Sequence, residues 1–277
     1  MILVTGATGT VGSILLEELH RSGTSPVRGL TRDPQRAAFP EGIEAVEGDF
    51  ARPETLKNAL DGVRSLFLVP GFGGEADALA AARSAGVEHV VLLGSLGSET
   101  HPHLVRSQER LAVEQALKDS GMAWTILRPT QFDSNTLWWA VPIREHGSVF
   151  APFPDTGLPA VHPADIAAVA HAALTDPAHR GHIYPLTGPE TVSPRQQTAA
   201  IAEALGRELS CIEVTREAAH QQYAAALGDV SAKEVLDLTG GDPRPSLFEV
   251  HDTVQRVTGR PARTFAQWAR ENVDAFR

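Results

Sequence analysis

The first 130 residues alternate between short apolar runs and longer segments in which apolar residues recur every three or four positions. The runs cover residues 2–4, 27–31, 43–46, 66–69, 90–93 and 124–127. Uninterrupted apolar strands indicate burial on both faces of a parallel sheet. The intervening segments, such as the one carrying Val11, Leu15 and Leu19, predict amphipathic helices. We therefore predict an α/β fold with a doubly wound parallel sheet.

The pattern changes beyond residue 130, where Pro- and Gly-rich turns and short strands alternate with helices. Helical segments are predicted at 163–174, 194–205 and 218–227, with a last helix from about residue 265. Neither a clean linker nor a repeat separates this part from the first. We predict a domain over 1–130 and a smaller C-terminal α/β lobe over 131–277 that covers it and is not independent.

A glycine-rich loop lies between the first strand and the first helix. Glycines at three-residue spacing permit a tight turn, a close approach of the backbone to a pyrophosphate, and close packing of helix on sheet. The N–H groups that begin the helix would face those phosphates. The loop predicts a Rossmann-type dinucleotide site made of Gly6, Thr8, Gly9, Thr10, Val11 and Gly12.

Two arginines follow the second strand, where a NAD-specific site would place a carboxylate. Arg32 ends the strand, and Arg36 follows one predicted helical turn later. Guanidinium groups bind phosphate oxygens through paired hydrogen bonds, so the pair indicates the 2′-phosphate of NADP(H). The alternative is that both are solvated surface residues, with Asp33 partly neutralising Arg32.

Ligands of such sheets bind beyond the carboxyl ends of the strands. The residues that follow the third and fourth strands, and that we expect to contact the cofactor, are Asp49, Phe50, Pro70 and Gly71. Ser95 follows the fifth strand at the same edge. Its hydroxyl is a candidate catalytic group for the substrate, and the alternative is a plain turn residue.

The composition argues against nucleic-acid and membrane partners, so we expect the partner to be a small-molecule substrate. A formal net charge of −10 leaves no basic face for direct nucleic-acid binding. We expect no leader segment, and no apolar run approaches the length of a membrane span. The single cysteine, Cys211, excludes an intramolecular disulfide and is typical of a reducing compartment, so we expect a cytoplasmic protein. No metal-ligand spacing is present, and we expect no metal.

Taken together, these segments resemble the NmrA-like group of atypical short-chain dehydrogenase/reductases. The resemblance rests on the glycine loop, the two arginines, Gly48-Asp49, and segments 113–117, 124–129, 132–135, 163–167, 258–261 and 265–268. It implies a Rossmann-like NADP-binding domain and a substrate-binding lobe. The group includes quinone and azo-type reductases, ether and imine-type reductases, and NADP(H)-sensing regulators.

The chain departs from ordinary short-chain dehydrogenases, which use a Tyr-x-x-x-Lys pair as proton donor. Tyr184 is followed four residues later by Gly188, and Tyr223 by Leu227. In the resembled group, a Lys or His four residues before the helix glutamate, here Glu114, often takes part. That position is Arg110, which stabilises an anion but is a poor acid or base.

Histidines near Ser95 are further candidates for proton transfer. His103 and His101 lie in the loop after the fifth strand, and the alternative for both is simple solvation. We interpret His162, next to Pro163, as structural.

The resemblance places the substrate pocket just beyond the sixth strand, at Asn135, Trp138 and Trp139. One tryptophan would pack in the core. The other would provide a flat wall for an aromatic or quinone-like substrate.

The favoured function is an NADPH-dependent oxidoreductase that transfers a hydride to a small quinone-like, aromatic or conjugated acceptor. Such an acceptor needs no strong protein acid, which agrees with the missing Tyr-Lys pair. One alternative is an NADP(H)-binding redox sensor without turnover. Another is non-redox chemistry on a small metabolite. A homodimer is possible.

Overall fold

A computed structural model describes residues 1–50, 52–71 and 73–277 of the chain. Its main sheet has seven strands in the order β3-β2-β1-β4-β5-β6-β8, and all neighbouring strands run parallel. These strands are β1 Ile2–Val4, β2 Val27–Thr31, β3 Glu44–Glu47, β4 Ser65–Leu68, β5 His89–Leu93, β6 Ala123–Pro129 and β8 His182–Leu186. A separate parallel pair joins β7 Ser148–Ala151 and β9 Ser210–Glu213, which contains Cys211. The predicted fold class is confirmed.

Helices cover both faces of the main sheet, as the apolar strands require. In chain order the helices are α1 Thr10–Arg21, α2 Leu56–Leu60, α3 Glu75–Ser84, α4 Gly97–Thr100, α5 Val105–Asp119, α6 Ala140–His146, α7 Pro163–Thr175, α8 Pro194–Leu205, α9 Arg216–Leu227, α10 Asp229–Leu236, α11 Thr253–Thr258 and α12 Phe265–Glu271. Val11, Leu15 and Leu19 of α1 are buried in a core shared with α7. A second core lies between the sheet and α2, α3 and α5.

The connection from β2 to β3 contains no helix, which differs from the predicted helical turn after Arg32. Residues 33–36 form a turn closed by the Arg36 amide donating to the Asp33 carbonyl at 3.3 Å. Phe39 covers the sheet there instead. A Cβ on Gly29 would lie 2.5 Å from its ring, so the missing side chain makes room for the aromatic ring.

The chain beyond residue 130 is divided between the main sheet and a smaller lobe. Strand β8 extends the sheet, and α7 fills the face that it shares with α1. The lobe has its own core, in which Ile143, Ile201 and Trp268 are buried among residues of α6, α8 and α12. The predicted boundary at residue 130 therefore does not coincide with an edge of the sheet. Among the described residues, no helix is long and apolar enough to cross a membrane.

Candidate active site

The glycine loop packs α1 tightly against the end of β1. Gly6 has φ of +58°, a left-handed conformation that favours glycine, and its carbonyl accepts the Gly9 amide at 2.9 Å. A Cβ on Gly12 would lie 2.2 Å from the Gly6 carbonyl oxygen, a contact that no side chain permits. Gly12 is thus required by the packing of helix on loop.

The outer part of the loop is open to solvent. Thr8, Gly9 and Thr10 are exposed, and no side chain of the described residues caps the first N–H groups of α1. Unpaired N–H groups and the positive end of the helix dipole form a site for a phosphate. Val11 is buried in the core, so only its backbone amide is available to a ligand. The loop therefore fits a dinucleotide pyrophosphate.

Arg32 and Arg36 are both exposed beside this loop, beyond the end of β2. Within the described ranges neither forms an ion pair. The Asp33 carboxylate accepts the Gln35 amide at 3.2 Å and pairs with neither arginine. Both guanidinium groups are thus available for a 2′-phosphate.

The other predicted cofactor residues lie in the next two loops of the same edge. The Asp49 amide donates to Thr55 Oγ1 at 2.9 Å, and Phe50 is buried in the core. After β4, Pro70 is half-buried and Gly71 is exposed with φ of +108°. These cofactor assignments stay predictions.

A cavity of about 270 Å³ lies between the sheet edge and the lobe. From the sheet side it is lined by the loops after β5 and β6, which include Ser95 and Gln131. From the lobe it is lined mainly by aromatic and aliphatic side chains, among them Phe153, Leu238 and Leu247. No residue found in its lining, within the described ranges, is charged.

The three predicted substrate residues, Asn135, Trp138 and Trp139, all line this cavity. They lie on a 3₁₀ helix, Asp133–Trp139, that follows β6. Trp139 packs partly against the lobe core, whereas Trp138 is 54 % exposed and stands at the cavity wall. The ring of Trp138 meets Tyr223 edge-on, with centroids 6.0 Å apart. Both tryptophans therefore reach the cavity, and their contact with a substrate stays a prediction.

Ser95 also lines the cavity, at the end of β5. Its Oγ accepts the Gly97 amide at 3.1 Å, and its proton has no acceptor in the described part of the chain. The hydroxyl can therefore donate to a substrate oxygen.

Arg110 lies on the face of α5 that packs on the sheet, between Ser107 and Glu114. Ser107 Oγ donates to the Gly97 carbonyl at 3.0 Å, which joins this helix to the Ser95 loop. Arg110 is half-buried and has neither a hydrogen bond nor an ion pair with the described residues. Burial lowers the pKa of its guanidinium, while the Glu234 carboxylate opposes that change. It is not among the lining residues of the cavity.

The two loop histidines lie away from the cavity lining. His101 is fully buried, with its ring nitrogens 2.8 Å from Thr100 Oγ1 and from the Asp242 carbonyl. His103 is exposed, and its Nε2 lies 3.8 Å from the Asp242 carboxylate. His162 caps α7 by accepting the Ala164 amide at 3.0 Å, which agrees with its structural interpretation.

Most of the lining was missed by the sequence analysis, including two polar side chains of the lobe helices. Gln197 of α8 and Tyr223 of α9 approach the cavity from the lobe. Burial raises the pKa of Tyr223, so its hydroxyl stays protonated. Neither residue lies in a motif, and their positions depend on how the lobe folds over the sheet.

Comparisons with known proteins agree with this geometry. Residues 6–177 match the NAD(P)H-binding family. The chain is 41% identical to a (4-alkanoyl-5-oxo-2,5-dihydrofuran-3-yl)methyl phosphate reductase of Streptomyces griseus, with 100% of this chain and 99% of the relative covered. It is 36% identical to an NAD(P)H azoreductase of Xenophilus azovorans, again covering 100% and 99%.

The fold also matches a crystal structure of an NADPH-dependent quinone oxidoreductase from Escherichia coli, complexed with NADPH. The TM-score is 0.83 at 27% identity, covering 98% of this chain and 99% of that one. The chain belongs to the NAD(P)H-binding family and is an NAD(P)H-dependent oxidoreductase. The resemblance to the NmrA-like reductases is confirmed.

Proposed function

We propose that this protein is an NADPH-dependent reductase of small, neutral, flat acceptors of the quinone or conjugated aromatic class. The observation that carries the proposal is the cavity at the sheet edge, with Trp138 at its wall and an uncharged lining. Aromatic walls bind planar rings through apolar contact, and an uncharged lining offers no compensation for a buried charge.

The glycine loop and the arginines divide the binding of the cofactor between them. The Thr8–Thr10 backbone would hold the pyrophosphate, and Arg32 with Arg36 would bind the 2′-phosphate that distinguishes NADPH from NADH. When bound, the cofactor supplies the hydride. The chain supplies orientation and a site for the negative charge that develops on the acceptor.

We propose Ser95 and Arg110 as the groups that stabilise that charge. The free proton of Ser95 Oγ would donate a hydrogen bond to the acceptor oxygen inside the cavity. Arg110 of α5 is half-buried and has no ion pair among the described residues. Its charge would add a positive potential at the acceptor. A quinol anion formed in this way takes its final proton from water, so no Tyr-Lys pair is required. A role for His103 stays a prediction.

A second candidate substrate is a phosphate ester of a dihydrofuranone. The observation in its favour is the 41% identity, over the whole chain, to the Streptomyces reductase of such a compound. Against it stands the uncharged lining, because a phosphate dianion needs cations or backbone amides. The two substrates are separated by assay.

The first experiment is NADPH oxidation, followed at its absorbance band, with quinones, azo dyes, enones, and a dihydrofuranone in free and phosphorylated forms. Direct titration establishes NADPH binding beforehand. We expect turnover with quinones and a faster reaction with the free than with the phosphorylated dihydrofuranone. Preference for the phosphate ester would replace the proposed substrate class. Tight binding without turnover by any acceptor would favour the redox sensor.

We further propose a cytoplasmic protein that works without metal. The single cysteine supports the reducing compartment. A homodimer stays a prediction. Analytical ultracentrifugation would measure the oligomeric state.

A further inference from the structure

Gln197 is a buried side chain whose polar atoms have no partner among the described residues. It is only 4% exposed, and its carboxamide makes no hydrogen bond with the residues that the structure describes. The neighbouring Gln196 behaves differently, because its side chain accepts the Ser193 amide at 2.8 Å and completes the cap of α8. The first turn of α8 therefore holds one glutamine side chain that is hydrogen-bonded, Gln196, and one that is not, Gln197.

Buried amides are nearly always hydrogen-bonded, since burial without a partner loses the hydrogen bonds made to water. The Asp133 carboxylate is wholly shielded from solvent and has no partner among the described residues, whereas the Gln197 carboxamide is not wholly shielded, and Gln197 lines the cavity described above. The cavity is therefore where a partner for the Gln197 carboxamide would lie.

We propose that Gln197 is a specificity-determining residue whose carboxamide hydrogen-bonds a neutral polar group on the lobe side of the acceptor. This inference rests on the proposed function of the cavity. A carboxamide offers two N–H donors and an acceptor oxygen without charge, so it suits a carbonyl, a hydroxyl or an amine equally. It does not compensate a phosphate dianion.

The position of Gln197 also bears on the shape of the substrate. Ser95 lines the cavity from the sheet and Gln197 lines it from the lobe. A bound substrate would therefore meet hydrogen-bond donors on two sides. The Tyr223 hydroxyl, which has no partner in the described part of the chain, adds a donor from α9. An acceptor with oxygen atoms at opposite ends, such as a 1,4-quinone, satisfies both sides. An acceptor with its oxygens at one end satisfies only one.

The test compares 1,4-naphthoquinone with 1,2-naphthoquinone, which differ only in the placement of the second carbonyl. For Gln197→Met we expect KM for the 1,4-isomer to rise about tenfold, which corresponds to about 1.4 kcal/mol. We expect a smaller rise for the 1,2-isomer and no change in the Kd of NADPH. Gln222→Met, an exposed glutamine of α9 outside the cavity, is the matched control.

A binding measurement keeps the result separate from turnover. Quenching of tryptophan fluorescence, with Trp138 at the cavity wall, reports acceptor binding to the NADP⁺-bound protein. If the wild type binds but does not reduce quinones, the proposed function fails while the role of Gln197 is still measured. Equal effects of Gln197→Met on both isomers, or no effect on either, would overturn the inference. If the Gln197→Met variant does not fold, the same measurements are made on Gln197→Glu, which keeps the size of the side chain.

Discussion

The Glu114 carboxylate binds the Arg128 guanidinium through two parallel contacts, Nη2 to Oε2 at 2.6 Å and Nε to Oε1 at 3.1 Å. Glu114 belongs to α5 and Arg128 to β6, and both side chains are buried at the sheet edge. Glu99 adds a third contact to Arg128 at 3.0 Å. This ion pair fixes the helix that carries Arg110 against the strand whose end borders the cavity.

We expect Arg128→Met to lower the free energy of unfolding by about 3 kcal/mol, because it leaves the Glu114 carboxylate buried without its cation. Denaturant unfolding followed by circular dichroism measures the change. Arg256→Met removes an exposed pair with Asp252 and should cost less than about 1 kcal/mol. Similar losses for the two variants would contradict a structural role of the buried pair.

Arg32→Ala should weaken NADPH binding by about tenfold or more and leave NADH binding nearly unchanged. The reason is that a charge-assisted hydrogen bond to the 2′-phosphate contributes roughly 1.5–3 kcal/mol and has no counterpart in NADH. Calorimetric titration of both nucleotides measures the effect. Arg21→Ala, at the far end of α1, is the control for net charge. An equal loss of affinity for NADPH and NADH would show that Arg32 does not bind the 2′-phosphate.

The buried Gly12 and the exposed Gly9 should respond differently to substitution by alanine. Gly12→Ala places a Cβ 2.2 Å from the Gly6 carbonyl oxygen, so we expect a lower melting temperature as well as weaker NADPH binding. Gly9→Ala meets the same oxygen at 3.2 Å, where a small shift suffices, so its melting temperature should change little. Its Cβ would still obstruct the pyrophosphate. Unaltered NADPH affinity in Gly9→Ala would argue against the phosphate site.

Arg110→Met should lower kcat by about tenfold and leave the Kd of NADPH unchanged. Its guanidinium is half-buried without an ion pair among the described residues, so we expect its positive charge to stabilise the acceptor anion from outside the cavity lining. Steady-state kinetics with a quinone measures kcat, and titration measures Kd. Arg106→Met, one turn earlier and paired with the exposed Glu109, is the matched control. If both variants keep full turnover, Arg110 has no part in the chemistry.

We expect the free energy of unfolding to depend on pH because of the buried Asp133 carboxyl. It is fully buried, neither carboxylate oxygen has a partner in the described part of the chain, and burial together with the Asp165 charge raises its pKa from 3.8 to about 7. The folded protein therefore holds a proton that the unfolded chain releases above pH 3.8, so the free energy of unfolding falls as pH rises from about 4 to about 7.

The measurement for Asp133 is denaturant unfolding at several pH values. Asp133→Asn should remove this decline and stabilise the protein at pH values above the raised pKa. Asp61→Asn, an exposed carboxylate, should leave the profile of the wild type. A decline that persists in Asp133→Asn would assign it to another group.

Much of the first domain follows from local sequence. The apolar runs predict strands β1 to β6 because parallel strands buried on both faces need uninterrupted apolar residues. Gly6, Gly9 and Gly12 predict the loop because backbone approach and packing admit no side chain there. The turn at residues 33–36 was predicted as helical, since arginine and aspartate are compatible with either conformation and Phe39 decides the packing.

The substrate side of the site was predictable only in part. Trp138 and Trp139 lie on the 3₁₀ helix that follows β6, so the rule that ligands bind near strand ends predicts them. Gln197 and Tyr223 lie far along the chain in ordinary helices, and no local pattern distinguishes them from solvated residues. The sequence places His103 near Ser95, whereas in the fold its Nε2 lies 3.8 Å from the Asp242 carboxylate.

The amino-acid order alone therefore specifies the parallel sheet and the dinucleotide loop, because burial and glycine geometry act over a few neighbouring residues. The cavity, the Glu114–Arg128 pair and the free carboxamide of Gln197 arise from contacts between segments distant in sequence. Strand β8 likewise joins the sheet from beyond residue 130. Such contacts depend on how helices pack over the sheet edge, and packing is a property of the folded chain as a whole.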